Sequence, residues 1–299
     1  MSDSAAMETF LQQVVSGLAA GGIYASFALA LVMTYLATNA VNFAQGEMAM
    51  FSTFVASALI ESGMPYWAAF FVTLAIAFLS GVVIERAILR PLERAPVLAL
   101  TIVTIGLLTI FNSMAGWIFG YTIRTFPSPF PPSPVRLGGI VVSRHSLGSL
   151  GVTLALLALL YVFFRYTHLG LAMRAAARYP VGSRLVGIRV GWMLALGWGL
   201  AAAIGAVAGI LIAPVLFLEP NMMGGILIYA FAAATLGGFT SPVGAVIGGF
   251  LVGIIENLAG TYIRFIGADL KLTVALAIIV LVLIFRPSGL FGQPHAQQL

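Results

Sequence analysis

Apolar runs follow one another along the whole 299-residue chain, most of them near the ~20 residues that carry a helix across a bilayer. They fall at 10–36, 43–61, 66–89, 96–119, 149–166, 191–213, 225–238, 243–263 and 270–285. Charged residues make up 8% of the chain and apolar ones 61%, whereas a soluble domain carries about 25% charged residues. Backbone polar groups in lipid must be satisfied within their own segment, so these runs are expected as helices. A β-barrel would show short alternating segments instead. The fold class is therefore all-α, a polytopic transmembrane helical bundle of about eight to ten spans. Two runs admit either a full crossing or a re-entrant helix. The run at 43–61 is entered through polar Asn42, Gln45 and Glu47, and the run at 225–238 is short and glycine-flanked.

Composition removes several function classes. The chain has no cysteine, so a disulfide framework, a thiolate metal site and a cysteine nucleophile are excluded. His145, His168 and His295 are far apart in sequence, which argues against a histidine metal cluster. The single lysine, Lys271, follows Asp269 and Leu270, so there is no G-x-x-x-x-G-K-[ST] phosphate loop. The net charge of +5 is almost wholly arginine. In so apolar a chain it points to loops facing an anionic leaflet rather than to nucleic acid. The stretch from Met1 to Glu8 has two acids and no base. It lacks the basic region of a cleaved signal peptide, so 10–36 is expected as a retained span.

Arginine placement sets an expected orientation. Arg86, Arg90 and Arg94 share one short loop. Arg165, Arg174, Arg178, Arg184 and Arg189 lie in or beside another, and Arg286 follows the last run. These nine are assigned to the cytoplasmic side, against Arg124, Arg136, Arg144, Arg264 and Lys271 outside. Tyr66, Trp67, Trp117 and Tyr121 then form an outer aromatic belt, and Tyr166 and Trp192 an inner one. The outer loop at 120–148 holds Pro127, Pro129, Pro131, Pro132 and Pro134, then Gly138-Gly139-Ile140-Val141-Val142. It reads as an extended loop with a short strand, a connector or a docking surface. In the cytoplasmic loop at 167–190, residues 171–179 read as a short helix with Arg174 and Arg178 one turn apart and Pro180 as its stop. Ser183 is expected to cap a second turn through Leu185, ended by Gly187. The segment suits either a lever moved by another protein or a helix lying on lipid heads.

Inside the spans, small residues recur four apart at Gly17/Gly21, Gly205/Gly209, Gly244/Gly248 and Gly249/Gly253, a spacing that lets helix backbones approach closely. Polar residues there are more telling, because an ionised group at the bilayer centre costs ~3 kcal/mol or more. Glu47 suits a helix N-terminus or, with Asn42 and Gln45, a polar pathway. Glu256 and Asn257 lie beyond two glycine pairs and are candidates for either pathway or packing, and Asn112 and Ser113 for bridging helices. Gly237-Gly238-Phe239-Thr240-Ser241-Pro242-Val243-Gly244 reads as a sharp turn, with Pro242 in the first turn of the next helix.

Together these stretches resemble the LivH-type permeases, membrane subunits of ABC importers for branched-chain amino acids. Gly17-Leu18, Gly21 to Ala25 and Asn42-Phe43-Ala44-Gln45-Gly46-Glu47 are similar to the family's opening, close to GL-x-x-G-x-x-YAL…NFAHGE. Leu169 to Ile188 resembles its coupling segment, roughly LG-x-A-x-RA…A-x-L-x-GI. Gly237-Gly238 with Ser241-Pro242-Val243-Gly244-Ala245 resembles its GG-x-x-S-x-x-GA turn, and Phe285 to Gly292 its FRP-x-GLFG tail. Gln45 stands where the family often has His, and Tyr179 and Val181 where the coupling segment commonly carries acids.

The resemblance implies a single permease domain over 1–299 in a bacterial inner membrane, paired with a LivM-type second permease. It implies two cytoplasmic ATPase subunits that bind the ATP, so that this chain needs no cofactor, and a periplasmic binding protein that delivers substrate. Gly170, Arg174, Ala175, Arg178, Arg184, Leu185 and Gly187 become the expected ATPase-coupling residues. Asn42, Gln45, Glu47, Asn112, Glu256 and Asn257 are the candidate substrate pathway. Permeases for urea and short amides share much of the pattern. An ion-coupled secondary transporter using Glu47 or Glu256 is the alternative from another class. For an intramembrane enzyme, no nucleophile–base pairing stands at helical spacing.

Overall fold

The computed structural model describes residues 3–93, 95–137, 140–267 and 270–292. Arg94, Gly138, Gly139, Asp269 and His295, all used in the sequence reading, lie outside the described residues. Each apolar run is a helix. The order is α1 (Asp3–Thr38), α2 (Gln45–Glu61), α3 (Tyr66–Ile84), α4 (Val97–Phe119), α5 (Arg144–Tyr166), α6 (His168–Arg178), α7 (Pro180–Leu185), α8 (Val190–Leu216), α9 (Met223–Gly237), α10 (Pro242–Tyr262) and α11 (Lys271–Phe285). Among the described residues, six of these helices are long and apolar enough to cross a membrane, and α9 and α11 are shorter apolar helices. The protein is a multi-pass membrane protein. The loop between α4 and α5 contributes a small antiparallel hairpin, β1 (Val135–Leu137) with β2 (Ile140–Val142), in which Arg136 faces Val141.

Two local expectations are corrected. Pro180 does not simply stop α6. It opens α7, because its missing N–H and fixed φ suit a first helical position. Ser183 is not a cap either: it sits inside α7 and is buried. The capping hydroxyl is that of Thr167, which accepts from the Gly170 N–H at 3.0 Å at the start of α6. Gly187 does close the segment, with φ +85°.

The chain divides into two compact units. The first comprises Met1–Val32, Ser128–Leu154 and Gly225–Leu299. Its centre is a glycine seam between α1 and α10. A Cβ on Gly17 would lie 2.8 Å from the Ile254 Cα, and one on Gly21 would lie 2.9 Å from the Gly249 carbonyl oxygen. Helices meet this closely only where side chains are absent. Gly244 and Gly248 lie on another side of α10 and admit α9 backbone at Gly237 and Ala233. The turn after α9 and the C-terminal tail interlock. The Leu290 and Phe291 N–H groups donate to the Leu236 and Gly237 carbonyls at 2.8 and 3.0 Å. Gly238, with φ +103°, meets the Ser288 carbonyl so closely that a Cβ would fall 2.7 Å away. Two glycine motifs some fifty residues apart in sequence are thus one structural knot. Ser241 caps α10 by accepting from the Gly244 N–H at 3.0 Å, with Pro242 at the first position as expected.

The second unit comprises Met33–Pro127 and Ala155–Gly224. Here α8 packs against α2 and α3 through small residues. A Cβ on Gly209 would strike the Thr53 hydroxyl at 2.5 Å and one on Gly81 the Trp198 carbonyl at 2.6 Å. The core gathers Ala40, Met48, Ile84, Leu100, Leu107 and Trp198, all buried. Beyond Ile84, α3 runs on as a π turn (Glu85–Leu89) and a 3-10 turn (Arg90–Leu92). Arg124 and Leu218 close the other end of this unit with reciprocal backbone hydrogen bonds of 3.0 and 2.8 Å.

Candidate functional site

Leaving a buried polar group unsatisfied in an apolar bundle is costly, so the partners of those that are satisfied reveal what the sequence put inside. In the second unit the chain enters α2 through a polar elbow. The Asn42 Oδ1 accepts from the Ala44 N–H at 3.1 Å, and its Nδ2 donates to the Gln45 Oε1 at 3.0 Å. The Gln45 Nε2 then donates to the Ala201 carbonyl on α8 at 2.9 Å. Both side chains are fully buried. The elbow is rigid because each amide has a fixed partner, and it sets the direction in which α2 leaves.

Glu47 stands in the first turn of α2, where the helix N-terminus favours a carboxylate. Its Oε2 accepts from the Asn112 Nδ2 on α4 at 3.3 Å. The same Asn112 amide donates to the Pro220 carbonyl at 3.0 Å and to the Asn221 Oδ1 at 3.1 Å. Four of the six pathway candidates therefore form two polar pairs on neighbouring stretches of one unit. Asn221 was missed, since it lies in a loop with no apolar periodicity around it. Asn112 bridges helices as expected, whereas Ser113 is exposed.

The other two candidates, Glu256 and Asn257, belong to the first unit. The Tyr24 hydroxyl on α1 donates to the Glu256 Oε2 at 2.8 Å, and Tyr229 on α9 turns its hydroxyl to the same carboxylate. The two tyrosine rings stack with centroids 4.7 Å apart. From α11, the Lys271 Nζ reaches the Glu256 Oε1 at 3.9 Å and the Asn257 Oδ1 at 3.4 Å. Lys271 is thus a cross-helix partner. Tyr24 and Tyr229 were missed as site residues because tyrosine in an apolar run reads as core. Two tyrosine hydroxyls and an ammonium thus converge on one buried carboxyl group, and such a satisfied polar cluster fixes the helices that supply it.

The coupling candidates fall on α6 and α7. Gly170 is fixed by close approach: its missing side chain admits the Phe163 backbone. Ala175 is half-buried, and Arg174 and Arg178 are exposed. Arg184 donates to the Glu93 Oε1 at 2.8 Å on the surface. Around these arginines a large apolar surface is uncovered: Leu185 is 84% exposed, Val186 76% and Val181 72%. An apolar patch of this kind on a short amphipathic pair of helices marks a contact surface.

Long apolar helices that reserve their few charges for cross-helix polar clusters have the build of a membrane permease. The chain belongs to the family described as branched-chain amino acid transport system / permease component, whose model matches residues 13–284. It is 32% identical over 97% of its length, and 98% of the relative's, to the high-affinity branched-chain amino acid transport system permease protein LivH of Escherichia coli (strain K12). It is 30% identical, with the same coverage, to the corresponding BraD of Pseudomonas aeruginosa. A probable LivH of Methanocaldococcus jannaschii is 29% identical over 89% of this chain and 87% of that one. Among solved structures, PsaBC from Streptococcus pneumoniae in complex with Fab shares the fold, with a TM-score of 0.51 and 15% identity over 93% of this chain and 92% of that one.

Proposed function

We propose that this chain is one of two permease subunits of an inner-membrane ABC importer that passes branched-chain or other hydrophobic amino acids to the cytoplasm. The end-to-end match to permeases named for high-affinity branched-chain amino acid transport carries this reading. Separate ATPase subunits supply the energy, since the sequence holds no phosphate loop. A LivM-type permease completes the pore, and a periplasmic binding protein presents the substrate. No metal, cofactor or catalytic residue is assigned to the chain.

The α6–α7 segment is the element the ATPases move. Its bare apolar surface at Val181, Leu185 and Val186, with Arg174, Arg178 and Arg184 beside it, supports that role. Gly170 and Gly187 hold the two ends of the segment in shape. In alternating access, closure of the ATPase dimer shifts this segment and the glycine-lined helices slide over one another. Glu47, Asn112 and Asn221 form one polar step of the substrate path, braced by Asn42 and Gln45. Glu256, with Asn257 and Tyr24, forms another. The test replaces Arg174 and Gly187 and measures ATPase stimulation by loaded binding protein in the assembled importer. Stimulation at the wild-type level would reject the segment as the lever. Offering leucine, isoleucine, valine, urea and short amides to the receptor decides the substrate class, and preference for urea or amides would overturn the amino-acid assignment.

A further inference from the structure

Two shallow grooves meet at the end of α8 in the second unit. One, of about 560 Å³, is lined by Arg90, Glu93, Arg184, Arg189 and Trp192. The other, of about 520 Å³, is lined by Ala172, Ile188, Met193 and Leu196. Ile188, Arg189 and Trp192 belong to both. A charged hollow and an apolar one thus share a wall at the start of α8.

The π turn after α3 is what builds the charged end. Its extra residue per turn sets the Arg86 guanidinium over the Trp192 ring, 3.9 Å from the centroid, and Arg90 against Gly191, where a Cβ would lie 3.1 Å from the guanidinium. Four arginines (Arg86, Arg90, Arg184, Arg189) face two glutamates (Glu85, Glu93), an excess of two positive charges. Arg184 is engaged with Glu93 at 2.8 Å and Arg86 with the indole. Among the described residues, the Arg90 and Arg189 guanidinium groups make no hydrogen bond or ion pair, although Glu85 offsets part of the Arg90 charge. Trp192, 44% exposed, has the amphipathic ring that sits at headgroup level.

We propose that this double groove is a binding site for one anionic phospholipid, with its phosphate between Arg90 and Arg189 and an acyl chain along Ala172, Met193 and Leu196. Charge complementarity selects the headgroup, and the apolar continuation along Ala172, Met193 and Leu196 suits an acyl chain. Basic pockets beside membrane helices on the cytoplasmic side hold anionic headgroups by this same attraction. The site rests on the proposed orientation, which puts these arginines at the cytoplasmic leaflet. Its test reads lipid occupancy on purified protein and is therefore independent of substrate and direction of transport.

The assembled importer is placed in nanodiscs of phosphatidylcholine with and without phosphatidylglycerol, and retained lipid is measured by native mass spectrometry. Wild type retains phosphatidylglycerol in preference to phosphatidylcholine. Arg90→Gln with Arg189→Gln lowers that preference about thirtyfold, roughly fivefold per arginine. Met193→Trp, which fills the apolar groove without touching charge, lowers retention as well. Added inorganic phosphate fails to displace the lipid. Equal phosphatidylglycerol retention in the double variant overturns the site. Displacement by inorganic phosphate makes it a site for free anions and overturns the lipid. Loss of the ATPase subunits with unchanged lipid retention makes the groove a protein contact and overturns it too.

Discussion

Gly253→Ala tests how the first unit is held together. The added methyl would lie 2.5 Å from the Gly17 carbonyl oxygen and nearer still to the Gly21 backbone. Ordinary heavy-atom contact needs about 3.5–4.0 Å, and neither neighbour is a flexible side chain. Therefore α1 and α10 must part by about 1 Å. Overpacking of this kind costs about 1–3 kcal/mol. The separation reaches the polar cluster beside the seam, because Gly21 and Gly253 face each other and lie one turn from Tyr24 and Glu256 respectively. Adding about 1 Å to their 2.8 Å hydrogen bond takes it out of bonding range. The assay is thermal unfolding of the purified full chain in detergent, beside uptake by the assembled importer. Gly253→Ala is expected to melt several degrees lower and to transport poorly. Gly21→Ala added to it costs less than it does alone, because helices already parted accept the second methyl. Gly106→Ala is the control: nothing lies within 4 Å of its Cβ position on α4, and it should melt like wild type. A Gly253→Ala protein that melts with wild type, or a Gly106→Ala protein that falls as far, would refute the close-packed seam.

Three further outcomes follow from the polar clusters and the caps. Asn112→Ala removes the donor shared by Glu47, Pro220 and Asn221. It should lower amino-acid uptake about tenfold, the scale of one hydrogen bond to a charged group, and undiminished uptake removes Asn112 from the path. Lys271→Met leaves Glu256 without its cation and should destabilise by about 1 kcal/mol, a modest figure because the ammonium is partly solvated. Pairing it with Glu256→Gln should recover most of that loss, and a purely additive double-mutant cycle would deny the pairing. Ser241→Ala strips the cap from α10 and should cost about 1 kcal/mol in a denaturant titration. No change in midpoint would show that the cap contributes nothing there.

The helices were legible because hydropathy is a local property: each of the nine apolar runs became a helix near its expected bounds. The start of α10 was legible for the same reason, since Ser241, Pro242 and Gly244 act on one turn. The seam glycines announced close packing through their spacing, but not which helices they join. The partners of Glu47 and Glu256 were illegible. Asn112 is 65 residues from Glu47 and Tyr24 is 232 from Glu256, and no periodicity links such distances. Lys271 read only as one of the charges expected outside, and only packing carries its ammonium to Glu256. Ser183 looked like a cap because the sequence shows its type but not that Pro180 had already begun the turn.

The most direct test of the whole account is leucine uptake into proteoliposomes. The chain purified alone is expected to accumulate no leucine against a gradient, with or without an ion gradient. The importer assembled with its second permease, ATPases and loaded binding protein is expected to accumulate it when ATP is supplied on the ATPase side. Uphill uptake by the chain alone, driven by protons or sodium, would contradict the account.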